Sequence, residues 1–441
     1  MLSMIGLVGG LILLIVLTMR GWNLLVAGPL CALVVGLFSG MPLFPQMVEA
    51  GESNFLTNYM TSFSGFITSW FPMFLLGAIF GKVMEDSGAA DSVSRWLVGK
   101  FGIKKAVLAI VIACAVLTYG GVSLFVVAFS VYPMALSLFK QADLPRRFIP
   151  AALAFGSVTF TMTSAGSPEI QNWIPIEYLG TSPYAGWEVS IIVAVFMMIF
   201  GYWWLKRMIN KAVSKGERFE TRKTDPVIED RDLPNPLMGL IPLLVVLIIS
   251  FVLHDVLMTS ALILALLGGI IATYVINRKY FTNVSKAISD GTIGALIAIG
   301  NTAAVVGFGG VAKAVPAFEV AVNAMTSIPG SPLIGGALAV SVIAGLTGSA
   351  SGGQVIALPL LAPHYIDMGV NTEALHRTVA ISSGALDSLP HNGYVVTTIR
   401  GICGESHKDA YGAVGAVTVI VPLLGLTIAI ILFSLGLGIG N

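Results

Sequence analysis

Charged side chains are scarce in this chain. Lys, Arg, Asp and Glu supply 11% of its 441 residues, against about 25% in a soluble domain. A water-exposed surface over most of the chain is therefore excluded. Neither sign dominates either: 24 basic and 23 acidic side chains leave a formal charge of +1, which speaks against a nucleic-acid partner. Cysteine is almost missing. Cys31, Cys114 and Cys403 stand far apart in mostly apolar surroundings, so they suggest packing residues and neither a disulfide framework nor a CxxC metal site. There is no HExxH or other zinc spacing and no Walker loop, and the glycines of GNTAAVVGFGG follow no strand, so they carry no dinucleotide signal. No metal and no cofactor are expected. The first residues, MLSMIGLVGGLILLIVLTMRGW, lack a basic leading region and an A-x-A cleavage site. They read as a retained membrane span and not as a signal peptide.

What the chain has in quantity is apolar length. Hydrophobic residues make up 56% and the mean hydropathy is +0.88. Several runs reach the ~20 residues that cross a bilayer, so the expected fold is an all-α polytopic membrane protein. Hydropathy places spans at about 2–19, 23–39 and 65–84. A basic amphipathic stretch, DSVSRWLVGKFGIKK, is expected to lie in the interface. An apolar block at 106–139 follows, broken by TYGGVS, then a span broken at TSAGSPEIQN (163–172), and a span at about 188–205. A polar linker at 206–236 separates residues 1–205 from 237–441. The second part runs through spans at about 237–253, 257–276 and 290–312, an apolar block at 333–361 broken by TGSASGG, a second broken helix, and a closing span at about 411–438. Phe80-Gly81 matches Phe308-Gly309, Leu117-Thr118 matches Leu346-Thr347, and Arg147 matches Arg377, all at an offset of about 229 residues, the mark of an internal duplication.

Positive charge sets the orientation. With the N-terminus outside, every Lys and Arg of the 24 except Lys313 and Arg377 falls in a loop facing the cytoplasm, as the positive-inside rule requires. Both termini then lie outside and the linker lies in the cytoplasm of an inner-membrane protein. Each broken apolar block enters and leaves on one side and is too short for the ~40 residues of two crossings. Each therefore reads as a re-entrant hairpin, giving an inverted repeat of five transmembrane helices plus one re-entrant hairpin each.

Four polar breaks then meet near the midplane, the arrangement of a secondary transporter. The hairpin tips offer Thr118, Gly120, Gly121 and Ser123, and Thr347, Ser349, Ser351, Gly352 and Gly353. Their glycines and helix N-termini suit a carboxylate. The first helix break offers Thr161, Thr163, Ser164, Ser167, Glu169, Gln171 and Asn172, hydroxyls and amides fit for an acid that also bears an alcohol. The second, in HRTVAISSGALDSLPHNGYVVTTIR, offers Ser382, Ser383, Asp387, Ser388, His391 and Asn392. A carboxyl in a low-dielectric pocket can exchange a proton near neutral pH, so Asp387, His391 and Glu169 are the candidates for cation coupling. Asn301 is a further lining candidate. Glu85 and Asp86 read as interfacial, and His254, His364, His376 and His407 as solvated loop residues. The bland alternatives are close helix packing by Gly and Ser, and Asp387 and His391 as cap and backbone ligand.

At these residues the chain resembles the gluconate permease family of the ion transporter superfamily. FLLGAIFGKVMEDSGAA is similar to that family's Gly-Lys…Asp-x-Gly stretch. GSPEIQNWIP, GLTGSASGG and SSGALDSLPHNGYV occupy its re-entrant and broken-helix positions, and the likeness covers about residues 20–440. The resemblance implies a homodimer with a scaffold and a moving, elevator-type transport domain that imports small organic acids with protons. It departs at Thr163 to Pro168, where the family has a His- and Pro-rich stretch. That moves the expected substrate from a sugar acid such as gluconate toward 3-hydroxybutyrate or a similar short hydroxy-monocarboxylate. The partners are then an organic anion and the bilayer, with H⁺ or, as the alternative ion, Na⁺ cotransported. The alternatives are a Na⁺-coupled citrate or dicarboxylate symporter and an intramembrane enzyme using Asp387 and His391.

Overall fold

A chain inside hydrocarbon must satisfy its backbone polar groups within itself, and helices do so segment by segment. The computed structural model describes residues 1–20, 22–49, 51–222, 232–326, 331–390 and 392–438; most of these are helical, with no strand among them. The first part runs α1 (Leu2–Met19), α2 (Leu24–Phe38), α3 (Phe55–Asp86), α4 (Ala89–Phe101), α5 (Ala106–Tyr119), α6 (Leu124–Gln141), α7 (Ile149–Ala154), α8 (Ile174–Leu179) and α9 (Trp187–Ser214). The second part runs α10 (Pro236–Leu257), α11 (Ser260–Asn277), α12 (Val284–Lys313), α13 (Pro316–Thr326), α14 (Pro332–Thr347), α15 (Ala350–Asp367), α16 (Thr372–Ser383), α17 (Gly393–Val396), α18 (His407–Gly415) and α19 (Val421–Ser434). Among the described residues, seven helical segments are long and apolar enough to cross a membrane, α18 and α19 forming one of them.

The order of the second part repeats that of the first, and so does the packing. Helix α2 lies on α12 while α11 lies on α3; α4 lies on α10 while α13 lies on α1; α3 meets α6 while α12 meets α15. Exchanging the two parts maps each contact onto another, which is what a two-fold axis between them does. At the centre α3 and α12 pack along their lengths. Gly291 permits this, because a Cβ there would sit 2.8 Å from the Ile79 Cα. Asn residues start both rods: Asn54 Oδ1 accepts from Thr57 N at 2.9 Å, and Asn283 Oδ1 from Lys286 N at 2.9 Å. A small apolar cluster joins Leu14, Cys31, Val35, Tyr59 and Phe308 of α1, α2, α3 and α12. The larger one runs through the hairpins, the broken helices and the remaining spans.

Both hairpins are present as α5–α6 and α14–α15, running to Gln141 and Asp367, beyond the 139 and 361 of the hydropathy reading. Three further boundaries differ. Helix α3 starts at Phe55 and not near 65, because the Asn54 cap and a Tyr59 hydroxyl donating to the Ala304 carbonyl at 3.0 Å fix polar turns that hydropathy does not register. Helix α9 continues past Leu205 to Ser214, so the first residues of the linker are helical. Arg147 and Arg377 are not equivalent: Arg147 lies in a 3-10 turn ahead of α7, whereas Arg377 is inside α16. Within the linker, Lys223, Arg231 and the residues between them lie outside the described residues.

Candidate functional site

The two helix interruptions form because Gly, Pro and Ser leave carbonyls without helical donors, and buried donors elsewhere take them over. Helix α7 loosens into a π turn at Phe155–Thr159 and the chain then leaves helix until Ile170. A fully buried Arg377 holds this stretch. Its Nε donates to the Ala185 carbonyl at 2.9 Å, Nη1 to the Thr163 carbonyl at 2.7 Å and to Asn172 Oδ1 at 2.8 Å, and Nη2 to the Pro183 carbonyl at 3.2 Å. Asn172 Nδ2 donates to the Ser167 and Pro183 carbonyls at 3.1 and 2.8 Å, and the Tyr119 hydroxyl to the Ala165 carbonyl at 2.7 Å. Gln354 Nε2 of α15 donates to the Gln171 carbonyl at 2.8 Å, which ties the second hairpin to the first break.

The second break lies between Ser383 and Gly393. Asn392 closes it twice, its Oδ1 capping Val395 N at 2.9 Å and its Nδ2 donating to the Gly348 carbonyl at the tip of the second hairpin at 2.9 Å. Gly348 adopts φ +61°, a left-handed conformation that favours glycine. Arg400 Nε donates to His407 Nδ1 at 3.0 Å, so His407 Nε2 carries the proton and donates to the Pro390 carbonyl at 3.0 Å. Asp387 is buried and its Oδ1 accepts from the Ser388 hydroxyl at 3.0 Å.

A cavity of about 450 Å³ lies between the first hairpin, the first break, α3, α11, α12 and the start of α15. Gly121 and Ser123 reach it from the first hairpin, Glu169 and Gln171 from the first break, Asn301 from α12 and Ser351 from the second hairpin. Met73, Phe74, Leu262 and Leu266 give it an apolar wall. Helix α6 begins here with no side chain capping its first turn, so free N–H groups and the positive end of its dipole are near the cavity. Asn301 Oδ1 and Gln171 Oε1 are buried acceptors with no hydrogen-bond partner among the described residues. Buried acceptors of this kind are rare unless something binds them. A cavity of this composition can hold a small anion by N–H groups and hydroxyls, and it can take hydrogen bonds from alcohols.

Six expected residues thus share the cavity: Gly121, Ser123, Glu169, Gln171, Asn301 and Ser351. Others do not line it. Gly120 and Ser164 line a separate apolar crevice with Leu243, Leu244 and Ile191, because Gly120 is packed on Leu243 and the Ser164 hydroxyl donates to the Phe160 carbonyl at 2.6 Å. Thr163 and Ser167 give their carbonyls to Arg377 and Asn172 and belong to the wall of the break. Ser349 caps α15 through Gly352 N at 3.1 Å, which occupies both residues. Asn392 and Asp387 are not in its lining: Asn392 is bonded to the Gly348 carbonyl and Asp387 to the Ser388 hydroxyl. His391 and the Thr347 side chain lie outside the described residues. His376 is not solvated: it is fully buried, with Nδ1 2.6 Å from the Thr181 hydroxyl. His407 is engaged at the second break as described, and His254 packs against Tyr184 and Phe251. Arg377 and Gln354 were not singled out from the sequence. The signal for Arg377 was its place as a basic residue on the side otherwise poor in them.

Two helical hairpins, two interrupted helices and a largely apolar cavity edged by a few polar groups fit a multi-pass membrane transporter. The chain belongs to the GntP family of permeases, whose model, GntP family permease, matches residues 2–436. The Bacillus subtilis (strain 168) transporter YxjC is 34% identical over 91% of this chain and 92% of its own length. A high-affinity gluconate transporter of Escherichia coli (strain K12) is 29% identical over 35% of this chain and 33% of its own. The crystal structure of the Alcanivorax borkumensis YdaH transporter, described as having an unusual topology, superposes with a TM-score of 0.60 at 15% identity over the full length of both chains; it shares the fold. The resemblance seen in the sequence motifs is therefore one of family membership.

Proposed function

We propose that this permease imports a small hydroxy-monocarboxylate, 3-hydroxybutyrate or a gluconate-type sugar acid, together with a proton. The observation that carries the reading is the central cavity, lined by Asn301 and Gln171, each with a buried acceptor oxygen that has no partner among the described residues, and by the open first turn of α6. The helix end supplies donors for a carboxylate and the acceptors take up the substrate's hydroxyls. Glu169 lines the same cavity and is the proton carrier of this reading, with Asp387, outside the lining, as a second carboxyl. Transport proceeds as an elevator, with the hairpins and broken helices moving against α1–α3 and α10–α12. The two parts face opposite ways in the inner membrane, with both termini outside and the linker in the cytoplasm, and the working unit is a homodimer.

The orphaned acceptors also favour a second reading, because amide oxygens and hydroxyls are ligands a hard cation takes. Sodium is then the coupling ion. Both readings are tested by uptake of labelled 3-hydroxybutyrate and gluconate into proteoliposomes, with pH and Na⁺ gradients imposed separately. Stimulation by the pH gradient alone supports proton symport. Uptake that neither gradient accelerates sinks the symport reading.

A further inference from the structure

A second cavity, of about 510 Å³, lies where α3, α4 and α12 approach α6, and its lining is charged where that of the central cavity is largely apolar. Lys82 of α3 and Asp290 of α12 line both cavities. They therefore stand where the two cavities adjoin. Among the described residues lining the central cavity Lys82 is the one basic side chain; the other ionisable liners are Glu169 and Asp290. Its Nζ is 2.8 Å from Glu85 Oε2 one turn along the same helix, and both side chains are about one-third exposed (34% and 35%).

An organic anion in the central cavity faces two carboxyls that repel it when ionised and a single ammonium that attracts it. An ammonium on a four-carbon stem reaches through several rotamers. It can exchange one carboxylate for another with little loss, since each partner makes the same charge-assisted bond. We propose that Lys82 is a carboxylate-binding residue of the transport path, trading Glu85 for the substrate's carboxylate as the anion passes between the central and the charged cavity. This rests on the anion-transport reading above. Glu85 is then a competitor built into the site, keeping Lys82 in place without holding the substrate permanently.

The proposal makes opposite predictions for the two members of the pair. In proteoliposomes of the full chain, Lys82→Gln should raise the KM for labelled 3-hydroxybutyrate or gluconate by about tenfold, the loss expected for one charge-assisted hydrogen bond. Inhibition by the corresponding neutral amides should stay unchanged, and Lys82→Arg should restore part of the affinity. Glu85→Gln, which frees Lys82 from its competitor, should lower the KM. If Lys82→Gln does not assemble in the membrane, the direction for Glu85→Gln decides. An acid KM unaltered in Lys82→Gln, or weakened equally for acid and amide, overturns the proposal, as does a KM unaltered or raised in Glu85→Gln. Wild-type protein that carries neither acid defeats the transport reading instead, so the two failures are distinguishable.

Discussion

Arg377 shows what a single side chain does in a helix break. Four acceptors, two in the first interruption and two in the loop after α8, converge on one guanidinium, whose planar fork of five donors suits such a cluster. Replacing it by Met strands the Thr163 and Ala185 carbonyls in a dry interior, at about 1–3 kcal/mol each. We expect Arg377→Met to lower the thermal midpoint of the detergent-solubilised protein markedly, and Arg377→Lys to recover little, because an ammonium cannot span the same acceptors. At the cavity, Asn301→Ala and Gln171→Ala remove acceptors and leave the apolar wall intact. Each should raise the KM for 3-hydroxybutyrate by a few-fold, the loss expected for a hydrogen bond of about 1 kcal/mol, while leaving competition by butyrate unchanged. Equal weakening of both acids would mean that these amides do not read the alcohol.

At the scale of elements, the close crossing of α3 and α12 depends on small side chains. Gly291→Leu drives a side chain into the Ile79 backbone and should cost about 1–3 kcal/mol through overpacking, visible as a lower unfolding midpoint. The segment following α9 acts as a strap. Glu217 takes Arg147 Nε at 2.7 Å and Nη2 at 3.0 Å. Arg222 and Arg146 share the buried Glu405 carboxylate, at 3.0 and 2.9 Å, and Arg146 also donates to the Tyr132 hydroxyl of α6 at 3.3 Å. The strap thus joins the first hairpin, the start of α7 and the stretch leading into α18. Hydrogen bonds from Arg147 hold the Glu217 carboxyl below its ordinary 4.5. A lowered value means stabilisation that is present above the unfolded value and is lost as the pH falls through the folded one. The pair is largely solvated, so the effect stays below about 1 kcal/mol. The difference in unfolding midpoint between wild type and Glu217→Gln should shrink as the pH drops from neutral to about 3; a difference independent of pH would remove Glu217 from the strap.

At the scale of the molecule, the two-fold exchange of contacts between α1–α9 and α10–α19 becomes an inversion in the bilayer when each part has an odd number of crossings. Cysteines placed at Lys105 and Ser331, which precede the two hairpins, should then label with a membrane-impermeant reagent from opposite faces. The native cysteines are buried, which keeps the background low. Labelling of both from one face would end the inverted arrangement.

The sequence by itself determined the membrane class, the two hairpins, the two helix breaks and the family. Each is written in local properties: apolar length, the scarcity of charge, Gly and Pro at fixed places, and short motifs. It did not determine which polar groups face the same space. Thr163, Ser164 and Ser167 read as well as Gln171 and Asn301 in a list of polar residues, yet the first three are absorbed by the backbone of the break or turned to an apolar crevice, and the last two are left with open acceptors. Nor did it place Arg377 in the interior, since its acceptors lie about two hundred residues away and only folding brings them within reach. Local chemistry decides where a helix stops, and the packing of distant segments decides which of the groups thereby exposed remain available to a ligand.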